Sequence, residues 1–137
     1  MIKLDNNVSI IDDCYNASYE SVKSALKYVS NFNKRKIAVL ADIKELGKLS
    51  RKIHLKIGNE VIKNNIDILI TIGKDSKLIG KTARKKGFKR RNIRHFYNEK
   101  KSRKYIKSIL KQDDIILIKG SNSMNLINLI NYLKNLF

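Results

Sequence analysis

The chain has 137 residues, of which 42% are hydrophobic and 31% are charged, a composition typical of one globular domain rather than of a disordered chain. It contains no run of about 20 apolar residues, and this excludes a membrane-spanning helix. A single cysteine excludes an internal disulfide and a cysteine-based zinc site, and the two histidines are too distant in sequence to suggest a metal site. The N-terminal residues lack the apolar core of a signal peptide. We therefore expect a cytoplasmic domain that holds no metal of its own.

The net charge of +18 has two candidate explanations. One is a surface that binds the phosphates of nucleic acid. The other is compositional: lysine far outnumbers arginine, isoleucine and asparagine are abundant, and proline and tryptophan are absent, a mixture that A/T-rich codons produce. Surfaces that bind nucleic acid more typically combine arginine with aromatic side chains, so the compositional explanation is favoured.

The hydrophobic pattern alternates between strand and helix periods along the whole chain. Strands are predicted at residues 8–11, 36–40, 66–72, 93–97 and 115–118. The first helix is marked by Val22, Ala25, Leu26 and Val29, and the second by Ile53, Ile57 and Val61, with Ser50 as its N-cap. The third runs from about residue 76 to 86, the fourth is lined by Tyr105, Ile106, Ile109 and Leu110, and the last turns Leu126, Ile130, Leu133 and Phe137 inward.

Five strand–helix units with short connections predict the fold class. We expect an α/β fold: a single Rossmann-like domain with a mostly parallel sheet of about five to six strands, covered by helices on both faces. Ligands of such sheets bind at the carboxyl ends of the strands. Three polar loops are predicted at that edge, at residues 12–18, 42–47 and 119–123. Their convergence there predicts one site.

The residues alone leave the role of each loop open. Asp12, Asp13 and Asn16 could bind a ribose or a peptide-like group. Alternatively, they could be ordinary polar residues between the end of a strand and a helix that is capped by Ser18. Asp42 and Glu45 could likewise serve only turn and cap chemistry. Three further residues also have structural alternatives. Lys119 could be solvated, His54 could be a packed or surface residue of a helix, and Cys14 could be only a small residue at the end of a strand.

The motifs in these loops resemble those of the Mur ligases. Residues 11–21, IDDCYNASYES, are similar to the family pattern IDDxYNANPxS; residues 37–47, IAVLADIKELG, to IAVLGDMxELG; and residues 119–124, KGSNSM, to KGSRxM. His54 also falls where that family has a histidine. Three matches in the right order cover nearly the whole chain, and within the family they are nearest to the members that add D-alanyl-D-alanine to UDP-N-acetylmuramoyl-tripeptide. Ser18-Tyr19, Ala41 and Asn122 depart from the pattern, where the family has Asn-Pro, glycine and arginine.

The resemblance implies a function and a set of site residues. The family forms an amide bond at the expense of ATP and Mg²⁺ through an acyl phosphate, in the synthesis of the peptidoglycan precursor. Asp13 would hold the ATP ribose, with Tyr15 and Asn16 beside the nucleotide. Asp42 and Glu45 would shape the rim around the dipeptide. Lys119 and Ser121 would face its carboxylate, with Ser121 at an anion-binding helix start.

The resemblance also implies that parts of the enzyme are absent. Residues 1–137 correspond to the C-terminal domain, and the N-terminal UDP-binding and central ATP-binding domains do not fit in this length. Gly80-Lys81-Thr82 is not a phosphate-binding loop, because Asp75 stands where the first glycine is required. We expect no catalytic residue in this chain, no activity and no tightly bound cofactor when it is alone, and a separate chain could supply the missing domains.

A second hypothesis assigns the chain to a different class of protein. Between Lys74 and Lys104 the chain has fourteen basic residues and only two acidic ones. A basic α/β module could bind nucleic acid through this region. The alternative, which we favour, is that this region is a solvated helix and loop whose many lysines reflect the composition of the chain. We therefore do not expect a nucleic-acid or membrane partner.

Overall fold

The computed structural model of the chain describes residues 1–14 and 16–136, so the predictions made for Tyr15 and Phe137 lie outside the described residues. Its strands are β1 (Ile2–Lys3), β2 (Ser9–Asp13), β3 (Lys36–Ala41), β4 (Ile68–Ile72), β5 (Ile93–Phe96) and β6 (Ile115–Lys119). Its helices are α1 (Tyr19–Ser30), α2 (Ser50–Lys63), α3 (Lys77–Lys85), α4 (Glu99–Ile109) and α5 (Leu126–Lys134). No helix in this part of the chain is both long enough and apolar enough to cross a membrane.

The strands form one sheet in the order β1-β2-β6-β3-β4-β5. All neighbouring pairs are parallel except β1 with β2, which is antiparallel. The predicted fold class is therefore confirmed, with β1 as a short edge strand that the hydrophobic pattern did not reveal. Because β6 inserts between β2 and β3, the first and last predicted loops become direct neighbours at the carboxyl edge.

Helices cover both faces of the sheet. Helices α1, α2 and α3 bury one apolar cluster with Leu40, Leu69 and Leu117 of the sheet, and α4 and α5 bury the other with Val39, Ile70 and Ile118. The helical residues assigned from their spacing, such as Val22 and Leu26 in α1, are buried as predicted. Two separate cores of this kind stabilise a sheet that is apolar on both sides.

The observed starts of the helices agree only partly with the N-caps predicted from the sequence. Ser18 caps α1, as predicted, because its side chain accepts the amide N–H of Ser21 while the Ser21 hydroxyl oxygen accepts the N–H of Ser18. Ser50 is not an N-cap: a 3-10 turn at Gly47–Leu49 runs directly into α2, and Ser50 is already helical. Its hydroxyl instead donates to the carboxylate of Asp75, 3.1 Å away.

Helices α2 and α3 touch backbone to backbone at Gly58. A Cβ atom placed on Gly58 would lie 2.5 Å from Cβ of Thr82 and 2.6 Å from the carbonyl oxygen of Ile79. Gly80, the glycine inside α3, is less constrained, since a Cβ there would meet only Cγ2 of Ile93 at 3.3 Å. The close approach at Gly58 joins the two helices into one unit.

These two glycines give a matched test of helix packing. We expect Gly58→Ala to lower the free energy of unfolding by about 1–3 kcal/mol, because the added methyl group overpacks the contact. Gly80→Ala should leave it close to that of the wild type, since better helix propensity offsets a small shift of Ile93. Urea denaturation followed by circular dichroism measures both. Equal effects of the two substitutions would contradict the proposed backbone contact.

Candidate functional site

The three polar loops meet at the carboxyl edge of the sheet, as the sequence predicted. The amide of Ser121 donates to the carbonyl oxygen of Asp42 at 3.1 Å, and the Ser121 hydroxyl accepts the amide N–H of Lys44 at 2.8 Å. On the other side, Lys119 at the end of β6 is paired in register with Asp13 at the end of β2. One continuous polar edge therefore runs from β2 across β6 to β3.

Lys119 is a buried cation. Its side chain has no exposed surface, and its ammonium lies 2.9 Å from the carboxylate of Asp13. The ammonium also donates to the carbonyl oxygens of Asp13 at 3.3 Å and Asn16 at 3.1 Å. This excludes the solvated alternative, because three oxygen acceptors replace the water that a free lysine would bind. Lys119 fixes the loop that follows β2.

Asp13 and Asn16 lie on the exposed side of this contact. The Asp13 side chain is 50% exposed, so a carboxylate that is positioned by a buried lysine still faces solvent at the rim. The Asn16 side chain is exposed, and its backbone carbonyl is held by Lys119. Whether these residues bind a nucleotide stays a prediction, and Tyr15, the third residue in that prediction, lies outside the described residues.

Asp42 lies below the rim and is completely buried. Its carboxylate accepts the backbone N–H groups of Lys74, Asp75 and Ser76 at 2.9, 3.0 and 2.7 Å. The Lys44 ammonium is 3.4 Å away, at the exposed end of the loop. Asp42 therefore ties the loop after β3 to the loop after β4, and contact with a substrate stays a prediction that its burial does not favour.

Its backbone donors determine the charge state of Asp42. Burial acts to raise the pKa of this carboxyl group, but the hydrogen bonds from Ser76, Asp75 and Lys74 outweigh burial and hold the pKa below its usual value. The cradle depends on Gly73, whose φ is +117° and whose Cβ, if present, would lie 2.5 Å from the Asp42 carboxylate. The loop after β4, residues 73–76, is a part of this edge that the sequence interpretation missed.

Glu45 is exposed and has a left-handed backbone, with φ of 63°. The other non-glycine residues with positive φ in the described chain are asparagines and an aspartate, which tolerate this conformation. A glutamate there is strained, and strained residues cluster at functional loops. The strain is consistent with the predicted position of Glu45 at the rim, and its contact with a substrate stays a prediction.

Neither His54 nor Cys14 has the environment of a catalyst. His54 is buried; its Nε2 accepts the Ile43 amide N–H at 3.1 Å, so its Nδ1 donates to the Ser50 carbonyl oxygen at 2.7 Å. Cys14 is buried, with Sγ 3.0 Å from a carboxylate oxygen of Asp12. Burial, together with the hydrogen bond to Asp12, raises the pKa of the Cys14 thiol to about 12. The contacts of both residues agree with the structural alternatives given above.

The expected anion-binding helix start at Ser121 is wrong in its geometry. A 3-10 turn at Asn122–Met124 follows Ser121, and α5 begins only at Leu126, after Asn125 with φ of 57°. The polar contacts of Ser121 are with the loop after β3 rather than with a long helix. Close by, a Cβ on Gly120 would lie 2.6 Å from Cβ of Ala41, so Gly120 makes room for the alanine at position 41.

Residues 80–82 do not form a phosphate-binding loop. Gly80, Lys81 and Thr82 lie inside α3, so their amides are not free to cradle phosphate. The described side chains also include no group of three or more His, Cys, Asp or Glu residues that could hold a metal ion.

The basic region from Lys74 to Lys104 includes helices on both faces of the sheet and the edge strand β5. Helix α3 packs on the face of the sheet that carries α1 and α2, whereas α4 packs with α5 on the opposite face. The basic residues of the two helices are thus separated by the sheet. Nucleic-acid binding by this region stays a hypothesis.

The fold and the polar edge define this chain as a doubly covered, mostly parallel α/β domain with a candidate site at the carboxyl ends of its strands. The chain belongs to the Mur ligase family: residues 1–122 match the family described as "Mur ligase, glutamate ligase domain". The similarity inferred from the three loops is thereby confirmed.

Among curated proteins, the chain is similar to UDP-N-acetylmuramoyl-tripeptide–D-alanyl-D-alanine ligases. It is 34% identical to the ligase of Bacillus subtilis (strain 168), over 92% of this chain and 28% of the relative. It is 38% identical to that of Buchnera aphidicola subsp. Acyrthosiphon pisum (strain APS), over 89% of this chain and 26% of the relative. The chain thus spans little more than a quarter of the length of these relatives.

The fold of this chain is similar to that of part of two solved MurF structures. The MurF ligase from Thermotoga maritima in complex with ADP superposes with a TM-score of 0.79 at 24% identity, over 97% of this chain and 29% of that one. A MurF structure from Acinetobacter baumannii gives 0.78 at 24% identity, over 91% of this chain and 27% of that one. At 24% sequence identity, the structural similarity is evidence for the fold alone.

The Asp42 cradle gives a test by pH. Asp42→Asn should lower the free energy of unfolding at pH 7 by about 1–3 kcal/mol, because an amide accepts fewer backbone N–H groups. Since the folded-state pKa of Asp42 is lowered, its stabilisation is present above the usual value of 3.8 and is lost as the pH falls through the folded-state value. The difference between wild type and variant should therefore shrink below pH 3.8.

The control is Asp67→Asn, since Asp67 is exposed and accepts one backbone N–H, from Lys36. Denaturant unfolding at several pH values measures all three proteins. A difference for Asp42→Asn that does not change between neutral and acidic pH would contradict the assignment of an ionised, hydrogen-bonded carboxylate.

Proposed function

We propose that this chain is the C-terminal domain of an ATP-dependent ligase that joins D-alanyl-D-alanine to UDP-N-acetylmuramoyl-tripeptide. The similarity to the two ligases of that name described above supports this proposal. Its three motif loops also meet at one edge, which is where ligands of parallel α/β sheets bind. The reaction uses ATP, so we place it in the cytoplasm.

The observation that carries the proposal is the pair of Lys119 and Asp13. Asp13 is half exposed and its carboxylate is fixed at 2.9 Å from a buried ammonium. A fixed carboxylate at a strand end can accept hydrogen bonds from the two hydroxyl groups of a ribose. The ammonium also offsets the negative charge of Asp13, so that an anionic nucleotide can approach the rim.

The contacts suggest different roles for the other site residues. Lys119 would act by positioning Asp13 rather than by touching the dipeptide carboxylate, because its ammonium already has three acceptors. Asp42 would position the loops after β3 and β4 in the same way. Exposed Glu45 and half-buried Ser121 are left to contact the dipeptide at the rim.

The residues present fit one end of ATP. Asp13 and Asn16 offer oxygen and amide groups suited to a ribose, but the described residues at this edge include no glycine-rich cradle for the phosphates. ATP, when bound, supplies the phosphoryl group that activates the carboxylate of the tripeptide. We therefore propose that the ATP-phosphate-binding, Mg²⁺-binding and uridine-binding parts of the enzyme lie outside residues 1–137.

A chimera tests this function. The matching quarter of the B. subtilis relative is replaced by this chain, and ADP release is measured with ATP, UDP-N-acetylmuramoyl-tripeptide and D-alanyl-D-alanine. We expect ADP release that depends on D-alanyl-D-alanine, and none from this chain alone or from the remainder of the relative alone.

Retained binding of the UDP substrate shows that the chimera is folded. A folded chimera without turnover would contradict the proposed function, and ADP release by this chain alone would contradict the proposed division of the site.

A single substitution tests the ribose contact in the active chimera. Asp13→Asn should raise the KM for ATP about tenfold, because a neutral acceptor replaces a charged one in the hydrogen bonds to the ribose. Asp12→Asn is the matched control: Asp12 is the adjacent exposed carboxylate, and it contacts Cys14 instead of Lys119. Equal KM values for the two variants would rule out the assigned role of Asp13.

A further inference from the structure

A second concave surface lies between α3 and the edge strand β5, beside the loop after β4. Its volume is about 790 Å³. The wall toward the sheet includes Thr71 of β4, and Ile93 and His95 of β5. None of its lining residues belongs to the candidate site, and β5 is separated from β2 by three strands. We call this surface the α3–β5 groove.

The α3–β5 groove is lined by charges of one sign. Its charged residues are all basic: Lys77, Lys81, Arg84, Lys85 and Arg90. Three of the lysines are spaced by four residues along α3, so they project from one side of the helix. Like charges at this spacing destabilise a helix by about 0.2–0.5 kcal/mol per pair. A bound anion would relieve that repulsion.

His95 provides an independent observation at the same place. Its Nδ1 lies 2.8 Å from Oγ1 of Thr71, but its Nε2 is buried and has no hydrogen-bond partner among the described residues. Buried polar atoms are almost always paired, so an orphaned nitrogen in a groove wall points to a missing partner. Burial and then the charge of Lys77 lower the pKa of His95, whereas the Asp42 carboxylate and a backbone contact with Gly73 act to raise it.

We propose that the α3–β5 groove binds a small phosphorylated molecule of nucleotide size. The volume lies within the range of about 300–1,000 Å³ that is usual for small-ligand sites. Two arginines can hold phosphate oxygens in a forked geometry, and lysines add point charges around them. Thr71 and His95 supply polar groups at the wall, which a merely lysine-rich surface would lack.

Nucleic acid is the less suitable occupant. A neighbouring groove of about 730 Å³ between α2 and α3 shares Lys81 and Lys85 and carries further basic residues, including Lys48 and Lys52. A polynucleotide would use both grooves, whereas a nucleotide-sized ligand needs only one. The described residues place the orphaned nitrogen in the α3–β5 groove alone. The two occupants can therefore be distinguished by experiment, according to whether one groove or both grooves are needed for binding.

Nuclear magnetic resonance of the imidazole groups reads out binding directly, because the chain has only two histidines. ADP, ATP and inorganic triphosphate are titrated into the wild-type chain, in separate arms that distinguish a nucleotide from phosphate alone. The ring signals of His95 should shift with saturation. Those of His54, which is held by Ile43 in the loop after β3 and by Ser50 at the start of α2, should not.

Charge-matched double variants localise the site. Lys81→Gln with Arg84→Gln should weaken binding about tenfold or more, because two charged hydrogen-bond donors are removed. The control is Lys104→Gln with Lys107→Gln in α4, on the opposite face of the sheet, which should change the affinity less than about twofold, a change that distant screened charges allow. Unchanged His54 signals show that each variant is folded.

Three results would overturn the proposal. They are the absence of any His95 shift at millimolar phosphate ligand, equal weakening by the two double variants, and tighter binding of a single-stranded oligonucleotide that Lys48→Gln with Lys52→Gln also weakens. The last result would assign the surface to nucleic acid. All of these measurements are independent of ligase turnover, so the proposal can fail while the proposed function stands.

Discussion

The carboxyl edge of the sheet depends on one buried carboxylate. Asp42 accepts three backbone N–H groups from the loop after β4, and its own carbonyl oxygen accepts the amide of Ser121 from the loop after β6. A buried charge is tolerated only when its hydrogen bonds are complete, and the partners of this one are the three backbone N–H groups and the Lys44 ammonium at 3.4 Å. Because those donors belong to a neighbouring strand's loop, the order of the strands and the shape of the rim are determined together.

Lys119 repeats this arrangement with the opposite sign, one strand away. Its ammonium is enclosed by oxygens from the loop after β2, so a cation and an anion are buried side by side at the ends of β6 and β3. Both side chains are engaged by contacts within the fold, and their contact with a substrate stays a prediction. Lys119 pairs with half-exposed Asp13, and the backbone of Asp42 contacts half-buried Ser121. The family motifs thus contain residues that shape the site as well as residues that face it.

The sequence predicted the periodic features well and the long-range ones poorly. The helical spacing of Val22, Ala25, Leu26 and Val29 identified α1, and the apolar runs identified the five parallel strands β2 to β6. Two residues are too few to show a period, so β1 was missed. Ser50 was misplaced because a 3-10 turn extends the helix backward, and the start of α5 was misplaced because Asn125 adopts a left-handed conformation that no local pattern required. The donors of Asp42 lie more than thirty residues away, so its burial could not be inferred from its own loop.

The close contact at Gly58 has a consequence for binding at the rim. Helix α2 carries His54 and Ser50, which hold the loop after β3 and the loop after β4, and its backbone contact with α3 couples both loops to one packed layer. The conformational entropy of these loops is therefore lost when the domain folds. A ligand or a neighbouring domain that reaches this edge meets loops that are already ordered, so little of its interaction free energy is spent on arranging them.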